Sequence, residues 1–428
     1  MKGHGDPTMA VKNKSAFAWA MYDWADSAFA CTIMAAVLPI FYRDVAAAGQ
    51  PQASSFWAYT QSLSMLLVAL ISPVLGAIAD QSFARVKFMR FFACLGITGT
   101  ALLFLVDRGE YILCSLFYIT GSIGFYCANV FYDSLLSRVA PPEEMDRLSA
   151  RGYAMGYLGG GLLLALNMAA IMFPRVFFIP DTLWATKITF LSVALWWYAF
   201  SIPFFRHVRE EGETVKIDFQ IVRLGFGRLR ATLGEIGKYR ELSKFLLAFW
   251  LYNDGISTII LMATVYGRDV GIGTSHLIGA LLLTQFVAFP FSLVFGRLAA
   301  DRGAKRAIFT GIGIYTVIVA LAYFMKTPLH FWVLAALVGT VQGGTQAISR
   351  SLYASMVPAA KSSEFFGFMG ITGKFAAVFG PFLFGITSQL SGSSRNGIMS
   401  LFLFFLVGGL ILASVNVEKG RQLALEQE

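Results

Sequence analysis

Apolar runs long enough to cross a bilayer recur along the chain, separated by short polar breaks. A helix needs roughly 20 residues to traverse a hydrocarbon core about 30 Å thick. On that measure the pattern predicts twelve transmembrane helices, near 16–42, 56–79, 86–106, 110–136, 150–173, 184–205, 244–266, 276–299, 305–325, 329–352, 363–389 and 397–417. The longest polar interval, from Arg206 to Ser243, divides them six and six. The expected fold is all-α and integral to the membrane, with an N-terminal six-helix half over 1–205, a linker over 206–243 and a C-terminal half over 244–428. In the linker, Ile217, Ile221 and Leu224 fall at helical spacing with Arg223, Arg228 and Arg230 interleaved. That suits either an amphipathic helix on the membrane surface or a solvated basic segment.

The second half echoes the first. SLLSRVAP at 134–141 is answered by SLYASMVP at 351–358, an offset of 217, and GAIAD at 76–80 by GRLAAD at 296–301. AVLPIFYRDV, ending at Val45, is echoed by MATVYGRDV, ending at Val270. Two parallel repeats of six helices place a binding site between the halves near the midplane, the arrangement of secondary transporters.

Composition agrees with the pattern: of 428 residues, 57% are hydrophobic and 14% charged, against about a quarter charged in soluble proteins. Of the 34 Lys and Arg, 26 fall on the side of the termini, seven on the other side, and Lys374 within a span. Basic residues are retained in the cytoplasm, so both termini are expected there. The net charge of +9 then follows from topology and anionic lipid headgroups, and no nucleic-acid partner is expected. Cys31, Cys94, Cys114 and Cys127 all fall inside spans without a CxxC pair, which reads as small buried hydrophobes rather than disulfides or metal ligands. His4, His207, His276 and His330 stand in the tail, a loop or span ends. With no P-loop, HExxH or GxSxG, neither an enzyme nor a cofactor is expected.

Charges inside the spans are the candidate chemistry, because each costs roughly 2.5 to 3.5 kcal/mol at a helix centre and is kept where it faces a cavity or a partner. At 1.5 Å per residue, Asp23 lies about 10 Å into the first span and Asp26 about 15 Å. Three residues apart, they share a face near Tyr22, and each is a candidate proton carrier. Tyr252, Asn253 and Asp254 form a polar cluster before Gly255 on the seventh span, and Lys374 is the one cation at mid-depth. Asn129, Gln342 and Gln346 complete the candidate substrate and proton site on the fourth and tenth spans. Asp133, Arg151 and Arg350 lie toward the cytoplasmic ends, where a gating salt bridge is as natural as substrate contact. Gly152, Gly156, Gly159, Gly160 and Gly161 on the fifth span, with Gly373, Gly380 and Gly385 on the eleventh, permit close helix approach.

The two half-repeats and the GxxxD signal resemble the major facilitator superfamily, whose signature after the second helix latches the cytoplasmic side with an acid and basic residues. Gly76 and Asp80 match it, with Arg85 and Lys87 beyond, and the second copy keeps Asp301, Arg302, Lys305 and Arg306 after one extra residue. The resemblance implies gating roles for Asp80, Asp301 and Arg302, with the stronger latch in the second half. More closely, YDWADSAFACTIMAAVLPIFY, FYDSLLSRVAPPEE, RGYAMGYLGGGL, FLLAFWLYNDGISTII and GGTQAISRSLYASMVP resemble the vacuole effluxer-like family of that superfamily. In that family's pattern, asparagine is usual where Asp26 and Asp133 stand.

The resemblance implies a secondary transporter of a small polar or zwitterionic metabolite, an amino acid foremost, and the acids within the spans make proton coupling the expectation. Lys374 would take the substrate carboxylate and Asp254 or Asp26 the amino group. Two rivals stand beside this reading: a proton-coupled exporter of amphipathic or cationic compounds, and a non-transporting membrane receptor or scaffold. Partners are then a small-molecule substrate, protons and the lipid bilayer. A monomer in a bacterial inner membrane is expected.

Overall fold

The computed structural model describes residues 7–50, 52–210, 223–224, 227 and 236–426. Most of the linker, including Ile217, Ile221, Arg228 and Arg230, lies outside the described residues, as does the side chain of Lys374. Among the described residues the chain is helical and turn, with no strand. This follows from the solvent, since a backbone in hydrocarbon must satisfy its own hydrogen bonds.

The helices are α1 (Pro7–Ala28), α2 (Ala53–Ser82), α3 (Arg85–Leu102), α4 (Tyr111–Ser134), α5 (Met145–Met172), α6 (Thr182–His207), α7 (Arg240–Asp269), α8 (Thr274–Arg302), α9 (Ala304–Tyr323), α10 (Pro328–Ala354), α11 (Ser362–Ser391), α12 (Phe402–Ser414) and the short α13 (Val417–Leu425). Among the described residues, 11 are long and apolar enough to cross a membrane. The 30-residue α11 fills the remaining place. Twelve crossings return the chain to the face it left, called the terminal face below. Helix α1 does not stop at Ala28: it runs on to Ala46, with wide π-type turns over Phe29–Val37 and Tyr42–Ala46. Such widened turns concentrate at functional sites, and this one begins three residues after Asp26.

Lipid-facing and core-facing stripes separate at helical spacing. Along α2, Tyr59, Leu63, Leu66 and Leu70 are exposed, whereas Ser64, Val68 and Ser72 are buried. Most of the glycines expected to permit close approach do so, and they position the site; Gly385 has open space around its Cβ instead, and the surroundings of Gly373 lie outside the described residues. On α5, a Cβ at Gly152 would fall 2.2 Å from Asp23 Oδ2, and at Gly159 2.7 Å from the Trp24 backbone. Gly156 and Gly160 likewise meet Ser27. The α5 glycines are therefore the seat of α1. Gly161 turns instead to Gln285 of α8. Between the halves, α5 packs on α8 and α2 on α11, equivalent pairs under the sequence repeat.

Candidate functional site

Near the terminal face, Arg350 of α10 is buried and held by the first six helices. Its Nη1 donates to Asp133 Oδ1 of α4 at 3.0 Å, its Nη2 to Asp23 Oδ2 of α1 at 3.2 Å, and its Nε to Ser149 Oγ of α5 at 2.9 Å. Nη2 also reaches the Ser149 carbonyl at 3.0 Å. The guanidinium lies 4.7 Å from the Trp19 ring centre and 4.5 Å from that of Tyr153. Tyr132 donates its hydroxyl to Asp23 at 2.8 Å and stacks on Trp19. A buried cation stands only when paired and hydrogen-bonded, and arginine's planar fork can engage two carboxylates while stacking on aromatic faces. Asp133 and Arg350 are 217 residues apart, the repeat offset. The ion pair thus joins equivalent positions of the two halves.

Two further seams follow the same symmetry. Ser134 Oγ meets Ser363 Oγ at 2.9 Å, while Ser351 donates to Asp146, and each residue of one pair is the repeat counterpart of one in the other. Gly76 packs on the Ser363 backbone and Gly296 on Ala150 and the Asp146 backbone. Among the described residues the charged latch, however, is on one side alone. Asp80 accepts from Arg85 Nε at 2.7 Å, from Ser363 N at 3.1 Å and from Glu364 N at 2.9 Å. A carboxylate of one half thereby caps the N-terminus of α11 in the other, where unpaired N–H groups and the helix dipole favour an anion. Arg85 donates onward to the Ala359 carbonyl at 2.8 Å and lies 3.7 Å from Glu210. Burial pushes the Glu210 carboxyl upward from its ordinary range, with Arg85 pulling against it.

The expected stronger latch in the second half is corrected: Asp301 and Arg302 are exposed and take no part in the seam. The extra residue before Asp301 turns it about 100° around α8. The α5 terminus it would have capped carries an acid of its own, Asp146. Arg151 is also exposed and stays outside the cluster around Arg350. The hydrogen bonds and ion pairs joining the halves gather at this terminal face, where Ser134, Ser149, Ser363 and Glu364 are fully buried. The structure is sealed on that side.

Above the seal, Asp26 is buried with the Asn129 amide in reach. Gln342 and Gln346 are half-buried on α10, with Gln342 near Tyr157 of α5. On α7, Asn253 is buried, and Asp254 accepts from the backbone N–H of Gly380 in α11 at 2.9 Å. Three expected members fall elsewhere, the first being Asp23, engaged by Arg350 and Tyr132 in the seal. Tyr22 sits in the core of the first half against Tyr132 and Phe204, and Tyr252 bonds Ser349 at 2.7 Å inside the second. Helical spacing gives a shared face but not the neighbour it meets. Tyr132, Ser149 and Tyr153 were missed by the sequence reading, although the 217-residue offset already aligned Asp133 with Arg350. An apolar cavity of about 80 Å³ lies in the second half between α7, α8, α9 and α10, lined by Ile259, Leu281, Phe331, Leu334 and Gln342 among others.

Comparison with known proteins agrees with this architecture. The chain is 41% identical over 413 residues to the uncharacterized MFS-type transporter YxiO of Bacillus subtilis, covering 96% of each. It is 25% identical over 434 residues to autophagy-related protein 22 of Saccharomyces cerevisiae, covering 87% of this chain and 80% of that protein. Among solved structures, the human organic anion transporter MFSD10 superposes with a TM-score of 0.73 at 14% identity, over 95% of this chain and 100% of that one. The proton:xylose symporter XylE gives 0.69 at 15% identity, over 98% and 99%. These last two likenesses speak for the fold alone. The family model "Vacuole effluxer Atg22 like" matches residues 12–144 and 137–425. The chain is therefore a membrane transporter of the major facilitator fold and belongs to the vacuole effluxer Atg22-like family.

Proposed function

We propose that the protein moves a small zwitterionic metabolite, an amino acid foremost, by proton-coupled alternating access. The observation that carries this reading is that the seal is made of an ion-paired cluster spanning the two halves. Arg350, Asp23 and Asp133 are charges drawn from opposite halves, each able to hydrate when the halves part. Above the seal, Asp26 supplies an anionic group for a substrate ammonium, and Lys374, by its place on α11, is the candidate for its carboxylate. A zwitterion needs both signs near one another. Protonation of Asp26 would then release the ammonium and permit the return. The effluxer family to which the chain belongs supports the substrate class. The distribution of Lys and Arg supports cytoplasmic termini, and the bacterial relative supports the plasma membrane, with the monomer as the working unit.

Labelled amino-acid uptake into proteoliposomes under an imposed pH gradient tests the reading. Accumulation that collapses with the gradient is the expected result. The apolar cavity favours a second reading, export of amphipathic or cationic compounds. Uptake of lipophilic cations with no amino-acid flux would put that reading in place of the first.

A further inference from the structure

Two buried carboxylates on opposite sides of the α2–α11 and α7–α11 contacts are satisfied very differently. Asp80 is 4% exposed and receives a guanidinium and two backbone N–H groups, so both of its oxygens are met. Asp254 is 1% exposed. Its Oδ1 takes the Gly380 N–H at 2.9 Å. Thr258 Oγ1 stands 3.5 Å from Oδ1, but its proton goes to the Asp254 carbonyl at 2.7 Å. Oδ2 is buried with no partner among the described residues. A bare carboxylate oxygen in such a place carries the full desolvation penalty of its charge, whereas Asp80 shows what this fold supplies when it means to keep the charge.

We infer that Asp254 Oδ2 holds a proton in the conformation sealed at the terminal face, making Asp254 a coupling site distinct from Asp26. Among the described residues the surroundings offer little else to neutralise it. Helix α12 has no ionisable residue, α10 carries His330 and Arg350 at its two ends, and α8 carries His276, Arg297, Asp301 and Arg302 at its ends. On α7 itself the charges lie at the termini and Tyr252 is engaged with Ser349. On α11, Glu364 is at the terminal end and Lys374 lies six residues before Gly380. The contact is also tight enough to be conformation-specific, because a Cβ at Gly380 would fall 1.8 Å from Thr258 Oγ1 and 2.6 Å from Asp254 Oδ1. Since α11 is anchored by Asp80 at one end and by Asp254 midway, one helix touches both the latch and the proton site. A ligand bound better by one conformation shifts the population toward it. The proton on Asp254 therefore favours the sealed state, and its loss accompanies departure from that state.

This rests on the transport reading for its consequence but not for its test. Infrared difference spectra of the purified protein in lipid at neutral pH, wild type minus Asp254→Asn, should show the C=O stretch of a protonated carboxyl, shifted in D2O. Asp254→Glu should keep such a band at an altered frequency, which guards against an Asn variant that fails to fold, and Asp26→Asn should leave the Asp254 band in place. Absence of the band, as from an ionised Asp254 paired to Lys374, overturns the inference. So does a thermal stabilisation by Na⁺ over K⁺ that Asp254→Asn removes, since a metal ion would then occupy the site. In proteoliposomes the Asn variant should lose gradient-driven accumulation. Wild-type protein that moves no amino acid would defeat the substrate proposal and leave the spectroscopic result standing.

Discussion

Replacing Arg350 with glutamine tests whether the charge cluster holds the terminal face shut. In the sealed state the substitution removes a guanidinium with four hydrogen bonds, leaving Asp23 with the Tyr132 hydroxyl and Asp133 without its cation. Breaking a buried pair by deleting one partner costs about 3 to 5 kcal/mol. The Asp133 side chain is 28% exposed and that of Asp23 14%, so solvent screening argues for the low end, about 3 kcal/mol. In an open state all three groups are hydrated and the substitution costs little. The equilibrium should therefore move toward opening by about 3 kcal/mol, roughly a hundredfold. A cysteine at Gln346, one turn above Arg350, reports this after Cys31, Cys94, Cys114 and Cys127 are replaced by alanine. Its labelling by an impermeant maleimide supplied from the terminal side should accelerate by about that factor in Arg350→Gln, and by less in Arg350→Lys, which keeps the charge but loses the fork. An unchanged labelling rate in Arg350→Gln would refute the assignment of the cluster as a seal.

Three other outcomes follow from the geometry. Asp80→Asn keeps the shape but removes the charge facing Arg85 and the α11 terminus, so the same Gln346 cysteine should label faster and unfolding in detergent should be easier by about 1 to 3 kcal/mol; wild-type behaviour in both would remove Asp80 from the latch. Gly124→Ala would put a Cβ 2.2 Å from the Gly96 backbone nitrogen and should cost about 3 kcal/mol, the upper end for overpacking. Gly385→Ala, with open space around its Cβ, should be neutral or slightly stabilising, and equal melting of the two variants would count against close α3–α4 packing. The Glu210 carboxyl is raised in the folded protein from its ordinary 4.5, so the folded state binds its proton more tightly than the unfolded. Its contribution to stability is complete below 4.5 and is lost as pH rises through the folded value. Melting temperatures across that window should fall less steeply in Glu210→Gln, and parallel curves would contradict the shift.

The spans were legible because a bilayer demands long apolar runs and little else matches them. The glycine pattern of α5 was legible as close approach, but not its object, since nothing in the spacing says that α1 rather than α8 lies against Gly152 and Gly156. Asp133 and Arg350 were visible as charges at gating depth and Asp23 as a candidate proton carrier rather than a seal residue, and the repeat offset alone aligns Asp133 with Arg350. The Asp254–Gly380 bond was not legible, because a backbone N–H leaves no mark in sequence and its partner lies 126 residues away. The one-sided latch depended on a single inserted residue before Asp301, a rotation that motif matching does not register. Tyr22 and Tyr252 misled because a polar group beside an acid is as easily a core hydroxyl as a ligand.

The Asp133–Arg350 pair also bears on how the two halves came to need one another. At a pseudo-two-fold axis, identical halves would set like side chains against like, and a chain made of two first halves would close Asp133 upon Asp133. Two second halves would oppose Arg350 to Arg350. Opposite charges at equivalent positions make the closed state available to the unlike combination alone, so each half has become the obligate complement of the other. A swap of halves between paralogues would have to carry this pair intact or forfeit closure, whatever substrate the cavity above it accepts.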